Sequence, residues 1–238
     1  MIAILPSLIY GDKGNVLTWL ERNPQPGKNH TMIVSYMQLL LLTLFALTIL
    51  IRYLLSLCQG VRPILLLKEG KARRERILEM IPVFAVTLII LLILRKIFTP
   101  NSGPELAYGL SMPLLVQWLG FLMALGSFSF LFAGYWFLGK NWRVGTGDES
   151  QEELITGGIY KLTRNPVYLF FNLFNGGLFL LNGDFLIFFL MITIVFSLHF
   201  MIINEEKMLY AQFGQQYVRY INKTPRYFDM PDLKIKKV

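Results

Sequence analysis

Five long apolar runs dominate this chain, and they constrain its fold more than any other feature. The runs cover about residues 33–57, 77–94, 114–138, 167–181 and 185–203. Because hydrocarbon leaves backbone N–H and C=O groups without partners, only helices and closed barrels cross a bilayer. These runs lack the polar–apolar alternation that is typical of barrel strands. They predict an all-α, polytopic membrane protein with about five transmembrane helices.

The composition supports lipid as the solvent of these helices. Hydrophobic residues make up 54% of the 238 residues and charged residues only 16%, against roughly 25% in soluble domains. The net charge of +8 would suit nucleic acid or an anionic surface. Because the basic residues lie in short loops between apolar runs, we expect membrane lipids and no nucleic acid as partners. One cysteine excludes an internal disulfide, and two isolated histidines predict no metal site.

Lysine and arginine are distributed unevenly between the two sets of loops, which predicts an orientation. Seventeen of the 23 lie after the first run, after the third run and in the C-terminal tail. Five lie in the N-terminal segment and after the second run. We therefore expect the C-terminus and the loop after the third run to be cytoplasmic, in a bacterial inner membrane or the endoplasmic reticulum. The last basic residue, Arg52, ends the first run and is expected to snorkel to a lipid headgroup.

Three regions follow from this pattern. Residues 1–32 predict an N-terminal interfacial segment, residues 33–138 the first three transmembrane helices, and residues 139–238 the last two with a C-terminal helix. The link Asn182-Gly183-Asp184 leaves room only for a tight helical hairpin between the last two runs. Small residues in the fourth run, including Gly177, predict close contact with a neighbouring helix.

Two polar segments flank this hairpin, at residues 142–168 and 204–228, and we expect them to meet at the membrane–water boundary. The first contains Gly157-Gly158, which permits a tight turn against a ligand. It also contains Arg164, whose planar guanidinium suits a carboxylate. A plain loop with a helix start and a snorkelling arginine is an equal alternative for these residues.

The second segment begins with two adjacent carboxylates, Glu205 and Glu206, at the end of an apolar helix. An unpaired charge facing the protein interior is expensive there, so one of the two is expected to have a partner or a ligand. The alternative is a polar helix exit at the interface. An apolar and aromatic stripe follows on one predicted helical face, formed by Leu209, Phe213, Tyr217 and Tyr220.

Together the two segments resemble the superfamily of isoprenylcysteine carboxyl methyltransferases and phospholipid methyltransferases. The resemblance covers residues 142–228. It rests on Leu154, Gly158, Tyr160, Arg164-Asn165-Pro166-Val167-Tyr168, Glu205-Glu206, Leu209, Phe213-Gly214, Tyr217, Tyr220 and Pro225-Arg226. The chain departs from the family at Asn165 and Glu152, where the family often has histidine.

The resemblance implies a helical membrane methyltransferase with a cytosolic pocket for S-adenosylmethionine. The implied cofactor-binding residues are Leu154, Ile155, Gly158, Tyr160, Glu205, Glu206 and Tyr217. The implied catalytic residues, which would orient the methionine carboxylate or the methyl acceptor, are Arg164, Tyr168 and Arg226.

The expected acceptor is lipidic, lipid-attached or small. A carboxylate is already ionised at neutral pH, whereas an amine or a thiol must lose a proton before it reacts. Because Asn165 replaces a potential proton acceptor, a carboxylate is favoured, as in protein-S-isoprenylcysteine O-methyltransferase, and an amine or thiol stays open. The alternatives are an NADPH-dependent membrane reductase of the sterol type and a non-catalytic membrane protein.

Overall fold

The computed structural model describes residues 26–58, 73–99, 109–139 and 153–227, and these are almost entirely helical. A short 3₁₀ turn, Gly158–Lys161, precedes the fourth helix. The predicted all-α class is confirmed. The helices are α1 (Pro26–Cys58), α2 (Arg73–Phe98), α3 (Leu114–Leu138), α4 (Pro166–Asn182), α5 (Phe185–Phe213) and α6 (Gln215–Ile221).

All five apolar runs form helices, and within the described ranges four of them, α1, α2, α3 and α5, are long and apolar enough to cross a membrane. The remaining one, α4, has 17 residues. Its length of roughly 26 Å falls short of a hydrocarbon core of about 30 Å. The chain is a multi-pass integral membrane protein in which α4 packs mainly against α3 and α5.

Two boundaries differ from the prediction. Helix α1 already begins at Pro26, so residues 26–32 are helical and continuous with the first apolar run. The rest of that predicted segment, residues 1–25, lies outside the described residues. Helix α5 continues past Ile203 as far as Phe213, because Leu209 and Phe213 extend its apolar contacts beyond the membrane-length run.

The predicted α4–α5 hairpin is confirmed and closes one end of the bundle. Gly183 ends α4 with φ +66°, a left-handed conformation that favours glycine. Asp184 caps α5 by accepting a hydrogen bond from the Leu186 N–H at 2.8 Å. The same carboxylate pairs with Lys96 Nζ of α2 at 3.1 Å, and the Leu110 N–H donates to the Gly183 carbonyl at 2.7 Å. The C-terminal end of α2 is therefore fixed to the N-terminal end of α5.

Helices α3 and α4 pack at very short range, as the small residues predict. A Cβ atom added at Gly177 would lie 2.5 Å from the Gly120 carbonyl oxygen and 2.7 Å from the Ala124 Cβ. Below this contact, Phe128 packs with Phe170, with ring centroids 5.2 Å apart. This contact holds the N-terminal end of α4, where the functional residues begin, against α3.

Arg52 does not reach a lipid headgroup, and that prediction is wrong. Its side chain is buried, donates to the Gly139 carbonyl oxygen and lies over the Tyr135 ring, 5.6 Å from the centroid. The last carbonyl groups of α3 have no partner within their own helix. Arg52 therefore finds a hydrogen-bond acceptor inside the bundle and ties α1 to the C-terminal end of α3.

Candidate functional site

The sequence-predicted site residues meet at the end of the bundle opposite the hairpin. Four pieces of chain contribute there: the 3₁₀ turn with its flanking residues, the start of α4, the end of α5, and α6 with the segment that follows it. The two polar segments expected to converge therefore do so. This segment after α6, residues 222–227, is called the strap below.

Glu206 pairs with two arginines. Its carboxylate receives two hydrogen bonds from Arg226, at 3.1 Å from Nε and 2.6 Å from an Nη atom. The guanidinium of Arg164 lies 3.2 Å from the same carboxylate. The Arg164 side chain is only 5% exposed and also donates to the Ile221 carbonyl oxygen at 3.2 Å. This triad joins α4, α5 and the strap, and its net charge is positive.

Residues 163–165 hold the strap from the other side. The Arg226 carbonyl oxygen accepts hydrogen bonds from Thr163 Oγ1 at 3.0 Å and from Asn165 Nδ2 at 3.1 Å. The Arg164 N–H donates to the Pro225 carbonyl oxygen at 3.0 Å. Asn165, the departure from the family pattern, therefore acts as a hydrogen-bond donor to the backbone. The other departure, Glu152, lies outside the described residues.

Glu205 has a different environment from its neighbour. Tyr168 Oη donates to its Oε2 at 2.9 Å. Within the part of the chain that the structure describes, Glu205 Oε1 has no hydrogen-bond partner. Of the two adjacent carboxylates, Glu206 is bound by arginines, whereas Glu205 has an oxygen that can accept a hydrogen bond from a ligand.

An apolar and aromatic cluster lies beside these carboxylates. Its buried members are Leu154, Tyr160, Tyr217 and Tyr220, and Ile155, Ile159, Leu209 and Phe213 pack against it. Tyr220 Oη donates to the Tyr160 carbonyl oxygen at 2.7 Å. Burial raises the pKa of Tyr160, and the nearby Glu205 charge raises that pKa further. Burial also raises the pKa of Tyr217 and of Tyr220, so all three phenols stay protonated at neutral pH.

The stripe predicted on a single helix is split between two. Gly214, with φ +49°, separates α5 from α6. The stripe residues nevertheless reach one cluster, because α6 turns back against the 3₁₀ turn through the Tyr220–Tyr160 hydrogen bond. The prediction of one continuous helix is wrong, and the predicted common surface is present.

Replacing Gly158 with alanine is expected to weaken S-adenosylhomocysteine binding at least tenfold. Gly158 has φ +57°, which side chains rarely adopt, and the Phe137 ring occupies the place of an added Cβ. The matched control is Gly157→Ala, because an added Cβ there meets nothing within 4 Å. Calorimetric titration of both variants checks this. Equal affinities would contradict a role for this turn in shaping the site.

The implied residues are brought together almost completely. Leu154, Ile155, Tyr160 and Tyr217 share the aromatic cluster, and the implied catalytic residues contact one of the two glutamates. Thr163 belongs to the site but could not be recognised in the sequence, because a hydroxyl that donates to a carbonyl 63 residues away leaves no local pattern.

Comparison with known families identifies the region that contains this site. Residues 115–216 match the model of the phospholipid methyltransferase family, which is part of the superfamily of integral membrane methyltransferases noted above. The match begins in the first turn of α3 and ends in α6, so it includes the Glu205–Glu206 pair but not Arg226 or α2. Enzymes of this family use S-adenosylmethionine. The comparison with curated proteins gave no match.

Proposed function

We propose that this chain, which belongs to the phospholipid methyltransferase family, transfers a methyl group from S-adenosylmethionine to the amine of a lipid headgroup. Family membership makes it a membrane methyltransferase, in place of the reductase or non-catalytic alternatives. The amine acceptor and the residue roles are our proposal. It rests chiefly on the division between Glu206, bound by two arginines, and Glu205, which keeps an acceptor oxygen.

The residues at this end of the bundle fit S-adenosylmethionine. The cluster around Tyr160 and Tyr217 offers apolar and aromatic surface for the adenine ring. Glu205 Oε1 suits a ribose hydroxyl or the ammonium group, and Tyr168 holds that carboxylate in place at 2.9 Å. The side chain of Arg226 is 23% exposed and belongs to a triad with net positive charge, which suits the methionine carboxylate.

The cofactor would supply the methyl group, and the protein would position the acceptor and the cofactor for its transfer. S-adenosylmethionine supplies a methyl group on a sulfonium, and the electron pair of the broken carbon–sulfur bond stays on sulfur. The protein aligns the acceptor with the methyl carbon and excludes water. An amine must lose a proton before its lone pair can form the new carbon–nitrogen bond. A carboxylate near the acceptor can take that proton.

The polar atoms below the cofactor region favour an amine over the carboxylate that the sequence favoured. Asn172 and Asn175 of α4 each have a buried Oδ1 atom without a hydrogen-bond partner among the described residues. These two oxygens and Glu205 Oε1 can each accept a hydrogen bond from a ligand. An ammonium group supplies donors, whereas a carboxylate would add like charge beside Glu205. A carboxylate acceptor is the second candidate, because Arg226 is partly exposed.

We also propose that this end of the bundle faces the cytoplasm. The basic loops that predict this orientation adjoin the ends of α1, α3 and α5. Those ends lie on the side of the Arg52–Gly139 contact and opposite the Lys96–Asp184 ion pair. A soluble cofactor could then enter from the cytoplasm while the lipid enters from the bilayer.

Replacing Glu205 with glutamine tests the cofactor site. S-adenosylhomocysteine affinity is expected to fall at least tenfold, about 1.4 kcal/mol, because the ligand loses a charged acceptor. Tyr168→Phe keeps the carboxylate and is expected to weaken binding much less. Calorimetric titration of the purified protein in detergent measures both. Wild-type affinity in the Glu205→Gln variant would remove Glu205 from the cofactor site.

The acceptor class is tested with labelled S-adenosylmethionine and two lipid probes. One is phosphatidylethanolamine in mixed micelles, and the other is a farnesylated cysteine derivative with a free carboxylate. We expect label in the amine lipid. Label only in the carboxylate compound would support the second candidate and reject the amine.

A further inference from the structure

His199 is a histidine of α5 to which the proposed function gives no role. It lies between Leu198 and Phe200, in a helix that is long and apolar enough to cross a membrane. An ionisable side chain is costly in such a helix, and those that are present usually have a partner and a function. The partner here is Tyr227, the last residue of the strap. The His199 Nδ1 atom lies 3.2 Å from the phenol oxygen, and the two rings are stacked with centroids 6.3 Å apart.

The phenol of Tyr227 is suited to this contact. The residue is half-buried, and burial raises its pKa, so the phenol keeps its proton at neutral pH. It can therefore donate to Nδ1 of a neutral imidazole that carries its own proton on Nε2. The contact consists of one hydrogen bond and one ring stack, and replacing Tyr227 with phenylalanine would remove only the hydrogen bond.

This contact lies next to the arginine triad. Tyr227 follows Arg226 directly in the strap. Glu206 and His199 are seven residues apart on α5, which is about two helical turns, so they lie on one face of the helix. Arg226 pairs with Glu206, and Tyr227 contacts His199. The strap is therefore attached to α5 at two points, roughly 10 Å apart along the helix axis.

The residues before α4 hold the same short piece of backbone from the other side. The Arg226 carbonyl oxygen accepts hydrogen bonds from Thr163 and Asn165, and the next residue of the strap is held by α5. The backbone that carries the Arg226 side chain is thus fixed on both sides. A binding group that is held in place before its ligand arrives loses less entropy on binding, so it binds more tightly.

We infer that His199 is a positioning residue: through its contact with Tyr227 it holds Arg226 in place to bind the carboxylate of the methionine part of the cofactor. The inference rests on the proposed function, in which the triad binds that carboxylate. The adenine ring is assigned there to the cluster around Tyr160 and Tyr217, which contains neither partner of the contact. The effect of His199 is therefore confined to the carboxylate end of the cofactor.

The test uses S-adenosylmethionine and decarboxylated S-adenosylmethionine, which differ only in the carboxylate. Calorimetric titration in detergent, without added lipid, measures the affinity of each variant for both. For Tyr227→Phe and His199→Leu we expect the affinity for S-adenosylmethionine to fall about fivefold, the scale of one lost hydrogen bond. The affinity for the decarboxylated ligand should stay within about twofold of the wild type, because that ligand does not use Arg226.

Two further variants and a double variant complete the design. Tyr210→Phe removes the same hydroxyl from an exposed position on α5 and is expected to match the wild type. His199→Gln keeps a hydrogen-bond acceptor and is expected to recover part of the loss. The double variant His199→Leu with Tyr227→Phe should bind S-adenosylmethionine no more weakly than the weaker single variant, because both changes remove one contact.

Each other outcome overturns the inference in a recognisable way. Unchanged affinity for S-adenosylmethionine in both single variants shows that the contact does not position Arg226. Equal losses for the two ligands, with a lower thermal midpoint, show that the contact only supports the fold. Additive losses in the double variant show that the two side chains act separately. If the wild type binds neither ligand, the proposed function fails and this inference fails with it.

Discussion

Replacing Glu206 with glutamine is expected to lower the free energy of unfolding by about 3–5 kcal/mol, the usual cost of removing one partner from a buried ion pair. The variant removes the charge that pairs with Arg164, which is 5% exposed, and with Arg226. Their repulsion acts where the strap joins α4. Equilibrium unfolding in mixed detergent and SDS micelles measures the loss, and cofactor binding should be lost with it.

The matched control is the adjacent variant Glu205→Gln, which makes the same chemical change. Glu205 is held by a tyrosine and not by an arginine, so its removal is expected to change stability by less than about 1 kcal/mol. It should reduce binding without unfolding. If Glu206→Gln were as stable as the wild type, the arginine triad would not be what holds the strap in place.

Replacing Gly177 with alanine is expected to destabilise the protein by about 1–3 kcal/mol, as overpacking of a close contact does. The added Cβ would lie 2.5 Å from the Gly120 carbonyl oxygen and 2.8 Å from the Ala124 N atom. Both are backbone atoms, so the clash can be relieved only if α3 and α4 move apart. Because α4 carries Tyr168, methyl-transfer activity should fall as well.

The control for this prediction is the neighbouring residue. An added Cβ at Gly176 meets only the flexible Met123 Cε, at 3.1 Å, and alanine has a higher helix propensity than glycine. Gly176→Ala is therefore expected to leave the thermal midpoint unchanged or slightly raised. Equal effects of the two substitutions would mean that α3 and α4 are not in close contact.

The helices and their hairpin could be read from the sequence because they depend on neighbouring residues. Long apolar runs select helices in lipid, whichever helices later become neighbours. The Asn182-Gly183-Asp184 link carries its own turn chemistry: a glycine that accepts positive φ, followed by an aspartate that caps α5. The resemblance that pointed to a methyltransferase likewise rests on short spacings around the hairpin.

Only the tertiary structure decided which hydrogen-bond and ion-pair partners the site residues have. Glu205 and Glu206 are equivalent as a sequence pair. Glu206 acquires Arg226, 20 residues away, and Glu205 acquires Tyr168, 37 residues away. Asn165 likewise donates to a carbonyl 61 residues away. Successive positions on a helix point about 100° apart, so the packing of α4, the strap and α5 determines which partner each side chain meets.

Arg52 and Glu79 show the same limit within the membrane spans. Their position in an apolar run predicts only that each charge must be satisfied or serve a function. Arg52 donates to the Gly139 carbonyl oxygen at the end of α3, 87 residues away. Glu79 lies on the buried face of α2, and α2 packs principally against α5. The length of each apolar run and the residues of the hairpin turn thus determined the helices and their order, because both depend on residues that are close together in the sequence. The pairing of charges depended on which helix faces came together.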